Sequence, residues 1–157
     1  MTDTDVLERA IAAVVAVQTG HRTAPRRPGS ERGNALEVCI EFCGHTSGRL
    51  VVTVPRTLLA PLFADHLPGE RGAEAELIEA LEALAVAICE HALHAAFGIH
   101  TFELAPPRTD AASLMARPAV TVGVLDHWIA AELVEDTLSV PTRLRPTPLP
   151  ALRVASR

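Results

Sequence analysis

The feature that most constrains this chain is one uninterrupted stretch of helix-forming residues, 73–97. The stretch contains no Gly or Pro and few β-branched residues, so its composition predicts a single long helix. Gly98 follows directly, and glycine is the usual residue at the left-handed position that ends a helix. Glutamates crowd the first turns and histidines lie near the end, as the helix dipole favours. The other elements must therefore be arranged around this helix.

Two different faces separate when this stretch is plotted at the helical period. One face is apolar and we expect it to be buried; it consists of Leu77, Leu81, Leu84, Ile88, Ala92 and Ala95, flanked by Ile78, Ala85, Cys89 and Ala96. The other face carries Glu79, Ala83, Val86, Glu90 and His94, with Phe97 beyond them. Val86 gains nothing from exposure to water. This second face is therefore either a solvated surface with small residues on it or a contact surface.

Composition limits the class of protein. The chain has 157 residues, which suits one domain with or without a tail, and only 3% of them are aromatic, so its core must be aliphatic. A net charge of -5 argues against a general nucleic-acid binder. Every basic side chain other than histidine is Arg, since the chain has no Lys.

The cellular compartment is predicted from the N-terminus, the apolar runs and the cysteines. The N-terminus has no basic start typical of a signal peptide, and no apolar run reaches roughly 20 residues without charges, so we expect no membrane span. Cys39, Cys43 and Cys89 are an odd number of cysteines at no disulfide-framework spacing. A reducing cytoplasm is the expected compartment.

Periodicity elsewhere predicts short helices and strands. Helical spacing of apolar residues predicts two shorter helices, 5–19 and 55–66, the second containing Pro61. Alternation predicts strands, which we place at 36–42, 49–54, 99–104, 119–125 and 128–134. Turns at 44–48 and 126–127 make two hairpins, residues 21–34 are expected to be a loop, and 110–116 one or two helical turns.

The order of these elements predicts an α+β fold. Helices and strands occur in blocks, which favours an antiparallel or mixed sheet with the long helix and the shorter helices packed against one face. This domain would span residues 1–136. Residues 137–157 contain four Pro, four Arg and no acid, and we expect an extended or disordered basic tail, either a solvated end or a docking peptide.

Several local sequences, taken in this order, resemble the CheX-like chemotaxis phosphatase family, within the CheC, CheX and FliY group. Residues 38–52 look like the family's hairpin, with Gly44 and Gly48 around a polar turn. Residues 58–70 are similar to its short helix and Gly-containing turn, and 79–92 lie where the family has its signature helix. The similarity spans residues 5–136.

The resemblance implies a fold, a partner and a mechanism. In this family the long helix presents a Glu and, three residues later, an Asn to a phosphorylated CheY-type receiver domain. The Asn orients a water for attack on the aspartyl phosphate, and the Glu pairs with a receiver Lys. Two side chains three residues apart lie on one helix face, and dephosphorylation is mostly positioning of a nucleophile.

This chain departs from that motif. The best match of apolar positions places Ala83 where the Glu belongs and Val86 where the Asn belongs. A register shifted by one pairs Glu82 with Ala85, which restores the acid and still lacks the amide. No Asn or Gln follows Asn34, so no other register supplies one. The standard catalytic pair is therefore missing from the helix.

We therefore expect a non-catalytic, pseudo-phosphatase module that binds or scaffolds a CheY-type receiver in the cytoplasm, without a cofactor. Its partner-binding residues would be Glu79, Ala83, Val86, Glu90 and His94. The family resemblance also implies a homodimer formed through sheet edges. An alternative is an active phosphatase in which Glu90 or His94 positions the water.

A further alternative is a metal-binding regulatory domain. The candidate ligands fall in two groups, Cys89, His91 and His94 on the helix and Cys39, Cys43 and His45 at the first hairpin. Zinc needs ligands that converge tetrahedrally. The cysteine on the buried helix face and the histidines at different edges do not converge, so we predict no metal site.

Overall fold

The structure is a computed structural model, and it describes residues 3–26, 34–65, 74–98, 101–112 and 120–136. The helices in these residues are α1 (Asp3–Thr19), α2 (Arg56–Leu62) and α3 (Glu74–Phe97). The strands are β1 (Ala24–Arg26), β2 (Ala35–Gly44), β3 (Gly48–Pro55), β4 (Phe102–Leu104), β5 (Arg108–Ala111), β6 (Val120–Val124) and β7 (His127–Glu135).

These strands form one antiparallel sheet of seven strands in the order β1-β6-β7-β3-β2-β4, with β5 also paired to β2. The edge of β2 is therefore shared. Leu36–Cys39 pairs with β5, whereas Phe42–Gly44 pairs with β4. The predicted α+β class is confirmed.

Both predicted hairpins are present. In the β2–β3 hairpin, Phe42 lies opposite Gly48 and Ala35 lies opposite Pro55. A Cβ on Gly48 would lie 2.1 Å from the Val134 carbonyl oxygen, so the approach of β7 to β3 requires glycine there. In the β6–β7 hairpin the turn is formed by Leu125 and Asp126, both at positive φ, one residue earlier than predicted.

The core lies between one face of the sheet and the three helices. Alternate strand residues face this core, and they are buried: Leu36, Val38, Ile40, Phe42, Leu50, Val52, Val54, Val120, Val122, Val124, Ile129 and Ala131. α1 contacts α3, β6 and β7, while α3 also contacts β2 and β5. We call the sheet face opposite the helices the outer face.

α3 confirms the predicted long helix and most of its buried face. Its fully buried residues are Leu81, Leu84, Ala85, Ile88, Cys89, Ala92 and Leu93. Leu93 was not in the predicted stripe, and Ala95, which was, is exposed. The stripe is displaced because α3 is covered from two sides, by α1 and by the sheet with β5, and Ala95 lies in the last turn.

Two predictions about irregular segments were wrong where the structure describes them. Within the predicted loop 21–34, Ala24–Arg26 forms β1 and pairs with β6. Arg108–Ala111 is strand β5, which includes the start of the predicted helical turns at 110–116. Both are short, mostly exposed edge strands, so they lack the alternation of apolar residues that marks a half-buried strand.

Two other elements, α2 and β4, are shorter in the structure than the sequence predicted. α2 ends at Leu62 and contains Pro61, so the predicted helix 55–66 is too long. Pro61 cannot donate a backbone hydrogen bond, and the regular helix stops one residue later. β4 begins at Phe102, so Thr101 of the predicted strand 99–104 is not part of it, and residues 99 and 100 lie outside the described residues. The predicted tail, 137–157, lies outside the described residues.

α3 is long and apolar enough, by length and composition, to cross a membrane. Seven of its residues are fully buried against protein. Such burial is what a core helix of a folded domain has, and composition does not separate the two cases.

Candidate functional site

The side of α3 that faces away from the core carries the predicted binding residues. Glu79, Ala83, Glu90 and His94 are exposed, and Val86 beside them is partly buried. We call these five residues the α3 strip. They are spaced three or four residues apart, so they follow one side of the helix for about four turns. The structure therefore places these five residues on one side of α3.

Ala83 and Val86 occupy the middle of the α3 strip. Ala83 is exposed, whereas Val86 packs partly against the core and leaves part of its side chain accessible. Neither side chain has a hydrogen-bonding atom. This part of the strip can therefore bury apolar surface against a partner, but its side chains cannot orient a water molecule.

The register shifted by one residue, which pairs Glu82 with Ala85, places one of its two positions in the core. Ala85, the position that would hold the amide if the motif were shifted by one residue, is fully buried in the core. Its possible partner in that register, Glu82, is partly buried and accepts a hydrogen bond from the Thr109 hydroxyl. A catalytic residue must reach its substrate, so the shifted register places a motif position where no partner could reach it.

The Glu82–Thr109 hydrogen bond is a feature that sequence reasoning missed. Thr109 Oγ1 donates to Glu82 Oε2 at 2.5 Å and so links β5 to α3. Nothing in the sequence indicated this bond, because Arg108–Ala111, the strand that carries Thr109, lacks the alternation of apolar residues that marks a strand. The bond holds one carboxylate at the margin of the α3 strip.

The C-terminal end of the strip is bordered by an aromatic cluster. The Phe97 ring lies 5.8 Å from the His45 ring and 5.7 Å from the Phe102 ring, between centroids. Phe42 meets Phe102 edge-on at 5.8 Å. The β2–β3 turn is thereby packed against the end of α3, a favourable arrangement for aromatic rings.

The single asparagine of the chain lies away from the strip. Asn34 Oδ1 accepts a hydrogen bond from Arg56 Nε at 2.9 Å, and Arg56 also pairs with Glu74. The backbone carbonyl of Asn34 also accepts a hydrogen bond from the backbone N–H of Arg56. Asn34 therefore serves the junction between β2 and α2, and it supplies no amide to the α3 strip.

The cysteines have separate environments. Burial, and secondarily the charge of Glu90, raises the pKa of the Cys89 thiol to about 12. Cys43 is exposed, and Cys39 is partly buried with its sulfur 3.8 Å from Arg108 Nη2. Among the described residues, no three His, Cys, Asp or Glu side chains are grouped so as to hold a metal ion.

Several solved structures are similar to this chain. CheX from Vibrio vulnificus superposes with a TM-score of 0.69 at 16% identity, covering 87% of this chain and 97% of that one. CheX from Desulfovibrio desulfuricans gives 0.64 at 14% identity, covering 87% and 100%. The complex of CheX with CheY, BeF3 and magnesium from Borrelia burgdorferi gives 0.58 at 13% identity, covering 83% and 96%.

These similarities establish the fold. The chain has the fold of the CheX-like chemotaxis phosphatases, as the sequence resemblance predicted. No protein-family model matches the chain, and no curated protein matches it. At such low identity the fold is shared, while the chemistry has to be argued from the residues of this chain.

Proposed function

We propose that this chain is a non-catalytic member of the CheX-like group that binds a CheY-type receiver domain through the α3 strip. Its fold is that of CheX, and one of the similar structures is a complex between CheX and CheY. Recognition would then be retained while the catalytic pair is lost. The chain would act as a scaffold or a competitor for the receiver.

The observation that carries this proposal is the position of Ala83 and Val86. Both lie on the accessible side of α3, where the resemblance places the Glu and the Asn, whereas Ala85 is buried. The accessibility of Ala83 and Val86 supports the register that aligns them with the Glu and the Asn, and in that register both catalytic residues are missing. The alternative register would require a buried motif position.

Without the Asn amide of the family motif, the chain lacks the group that would position water for hydrolysis of the aspartyl phosphate. Hydrolysis of an aspartyl phosphate needs a water held in line with the phosphorus, and holding it requires a donor or acceptor at that point. The methyl groups of Ala83 and Val86 offer neither. A bound receiver would therefore keep its own rate of dephosphorylation.

The chemistry of the strip suits a contact surface with a basic partner. The accessible methyl groups of Ala83 and Val86 lie between the exposed carboxylates of Glu79 and Glu90. Small interfaces commonly have an apolar centre and a polar rim, and charge on the rim mainly sets the association rate. A partner that presents an apolar residue beside a cationic one would match this pattern.

One observation favours a second candidate, an active phosphatase. Glu90 and His94 are both exposed and lie one helical turn apart on the strip, where either could hold a water as a base. In that case the receiver would lose its phosphate faster in the presence of the chain. Substituting Glu90 or His94 would abolish the effect.

Two further parts of the proposal concern location and assembly. We place the chain in the cytoplasm beside its receiver, and we propose a homodimer formed through sheet edges. The described edge strands, β1 on one side and β4 with β5 on the other, are short. The homodimer is tested by the mass in solution, measured by light scattering.

Binding is tested with one variant on the strip and a matched control. Ala83→Arg puts a long cation at the centre of the strip, and Ala16→Arg makes the same change at an exposed position of α1. We expect the first to weaken binding to a purified CheY-type receiver, carrying beryllofluoride as a phosphate mimic, at least tenfold. We expect the second to leave it unchanged. Equal affinities for the two variants would contradict the proposed surface.

A further inference from the structure

A groove of about 580 Å³ lies on the outer face of the sheet, at the end where the β2–β3 turn meets β4 and the end of β7. The residues that matter in its wall are Glu41, Cys43, Ser47, Arg49, Glu103 and Asp136. Phe42 is buried in the core, so its neighbours on β2 point to the opposite face. The groove is therefore separate from the α3 strip.

The groove is acidic on balance. Its wall contains the carboxylates of Glu41, Glu103 and Asp136 and one guanidinium, that of Arg49. Glu41 also pairs with Arg108 at 3.2 Å. Both side chains of this pair are more than half exposed, so the pair is weak. A cationic, extended segment would complement such a wall.

The chain itself leaves β7 at this groove. The Asp136 N–H donates to the Ser47 carbonyl at 2.8 Å, which continues the pairing of β7 with β3 by one step. Asp136, the last described residue after β7, therefore lies in the wall of the groove. Residues 137–157 contain four Arg and neither Asp nor Glu, so the segment that follows has the complementary charge.

The distances allow this segment to cross the groove. Arg143 and Arg145 follow Asp136 by seven and nine residues, a reach of about 23 and 30 Å when extended. β4 lies three strands from β7 in the sheet, which is about 14 Å at the usual spacing of strands. Both arginines can therefore reach the carboxylates of Glu41 and Glu103.

We propose that residues 137–150 of this chain bind back across the outer groove, with Arg143 and Arg145 paired to Glu41 and Glu103. Because the segment is tethered at the edge of its own site, weak ion pairs suffice to hold it there. The bound segment covers Cys43, the exposed cysteine in the groove wall.

Trypsin cleavage between Arg143 and Leu144 measures whether the segment is bound. We expect Glu41→Gln/Glu103→Gln to raise the cleavage rate of the full chain about fivefold, and added salt to raise the wild-type rate, because it screens exposed pairs. Glu79→Gln/Glu90→Gln makes the same charge change on the α3 strip and should have no effect. Acceleration only in that second variant would place the segment on α3, and equal rates in all three proteins would show that it is not bound.

Alkylation of Cys43 is a second readout that does not depend on protease access. Removal of residues 138–157 should increase its rate of reaction with iodoacetamide several-fold, as followed by peptide mass spectrometry. An unchanged rate would overturn the proposal. Protection that increases with protein concentration would also overturn it, since the segment would then bind another copy of the chain.

Discussion

The register of α3 is decided by placing the same amide at two neighbouring positions. Val86→Asn puts it on the accessible side of the helix, and Ala85→Asn puts it in the core, where Ala85 is fully buried. Asn is introduced in both cases, and the helix propensity lost on replacing Ala is below about 0.7 kcal/mol. Most of the difference in unfolding free energy therefore reports the environment of each position.

The expected magnitudes differ several-fold. At position 85 the larger side chain overpacks the core, at about 1–3 kcal/mol, and buries an amide without an assigned partner, at about 1–3 kcal/mol more. We expect a total of roughly 4 kcal/mol. At Val86, already partly accessible, the loss is a fraction of the transfer free energy of valine, about 1 kcal/mol. Val and Asn have similar helix propensities, so that contribution is small.

Thermal unfolding followed by circular dichroism measures the difference. For a chain of this size 1 kcal/mol shifts Tm by about 2–4 °C, so Val86→Asn should lower it by roughly 2–4 °C and Ala85→Asn by roughly 8–16 °C. Equal shifts, or a larger shift for Val86→Asn, would refute the assignment of Val86 to the accessible face. The inference that the catalytic pair is missing would fail with it.

Three further outcomes are expected. Ala83→Glu/Val86→Asn together should bring phosphatase activity to the chain, measured as a shorter receiver phosphate lifetime; binding without any shortening would show that more than this pair is missing. Gly48→Ala should cost several kcal/mol in urea unfolding because its Cβ would meet backbone oxygen at 2.1 Å, whereas Gly123→Ala, with no atom nearer than 3.8 Å, should be nearly neutral. Since the pKa of Cys89 is raised from 9.0 to about 12, the stability that its neutral form contributes is complete below pH 9 and falls as pH rises towards 12; Cys89→Ala should flatten that decline.

Much of the fold was predictable because its main elements have strong local signals. α3 is a long run of helix formers, and β2 alternates apolar and polar residues between a core face and the outer face. The missed strands, β1 and β5, are held by pairing with β6 and β2. Their own side chains are mostly exposed and carry no such pattern, so only the tertiary structure identifies them.

The residues predicted to contact a partner were chosen in the same way, from the periodicity of α3. Glu79, Ala83, Glu90 and His94 are exposed because the core needs only the opposite arc of the helix. Val86 is less exposed than the pattern indicated, since it lies at the margin where α3 approaches the buried arc. The contact between Glu82 and Thr109 depends on a strand pairing distant in sequence, which helical periodicity does not encode.

The central claim is recognition without turnover, and the lifetime of the receiver phosphate tests it most directly. A purified CheY-type receiver is phosphorylated, mixed with a saturating excess of the chain, and followed by the decay of its aspartyl phosphate. The account predicts binding with an unchanged decay rate. A faster decay, lost on substitution of Glu90 or His94, would contradict it and identify the chain as a working phosphatase.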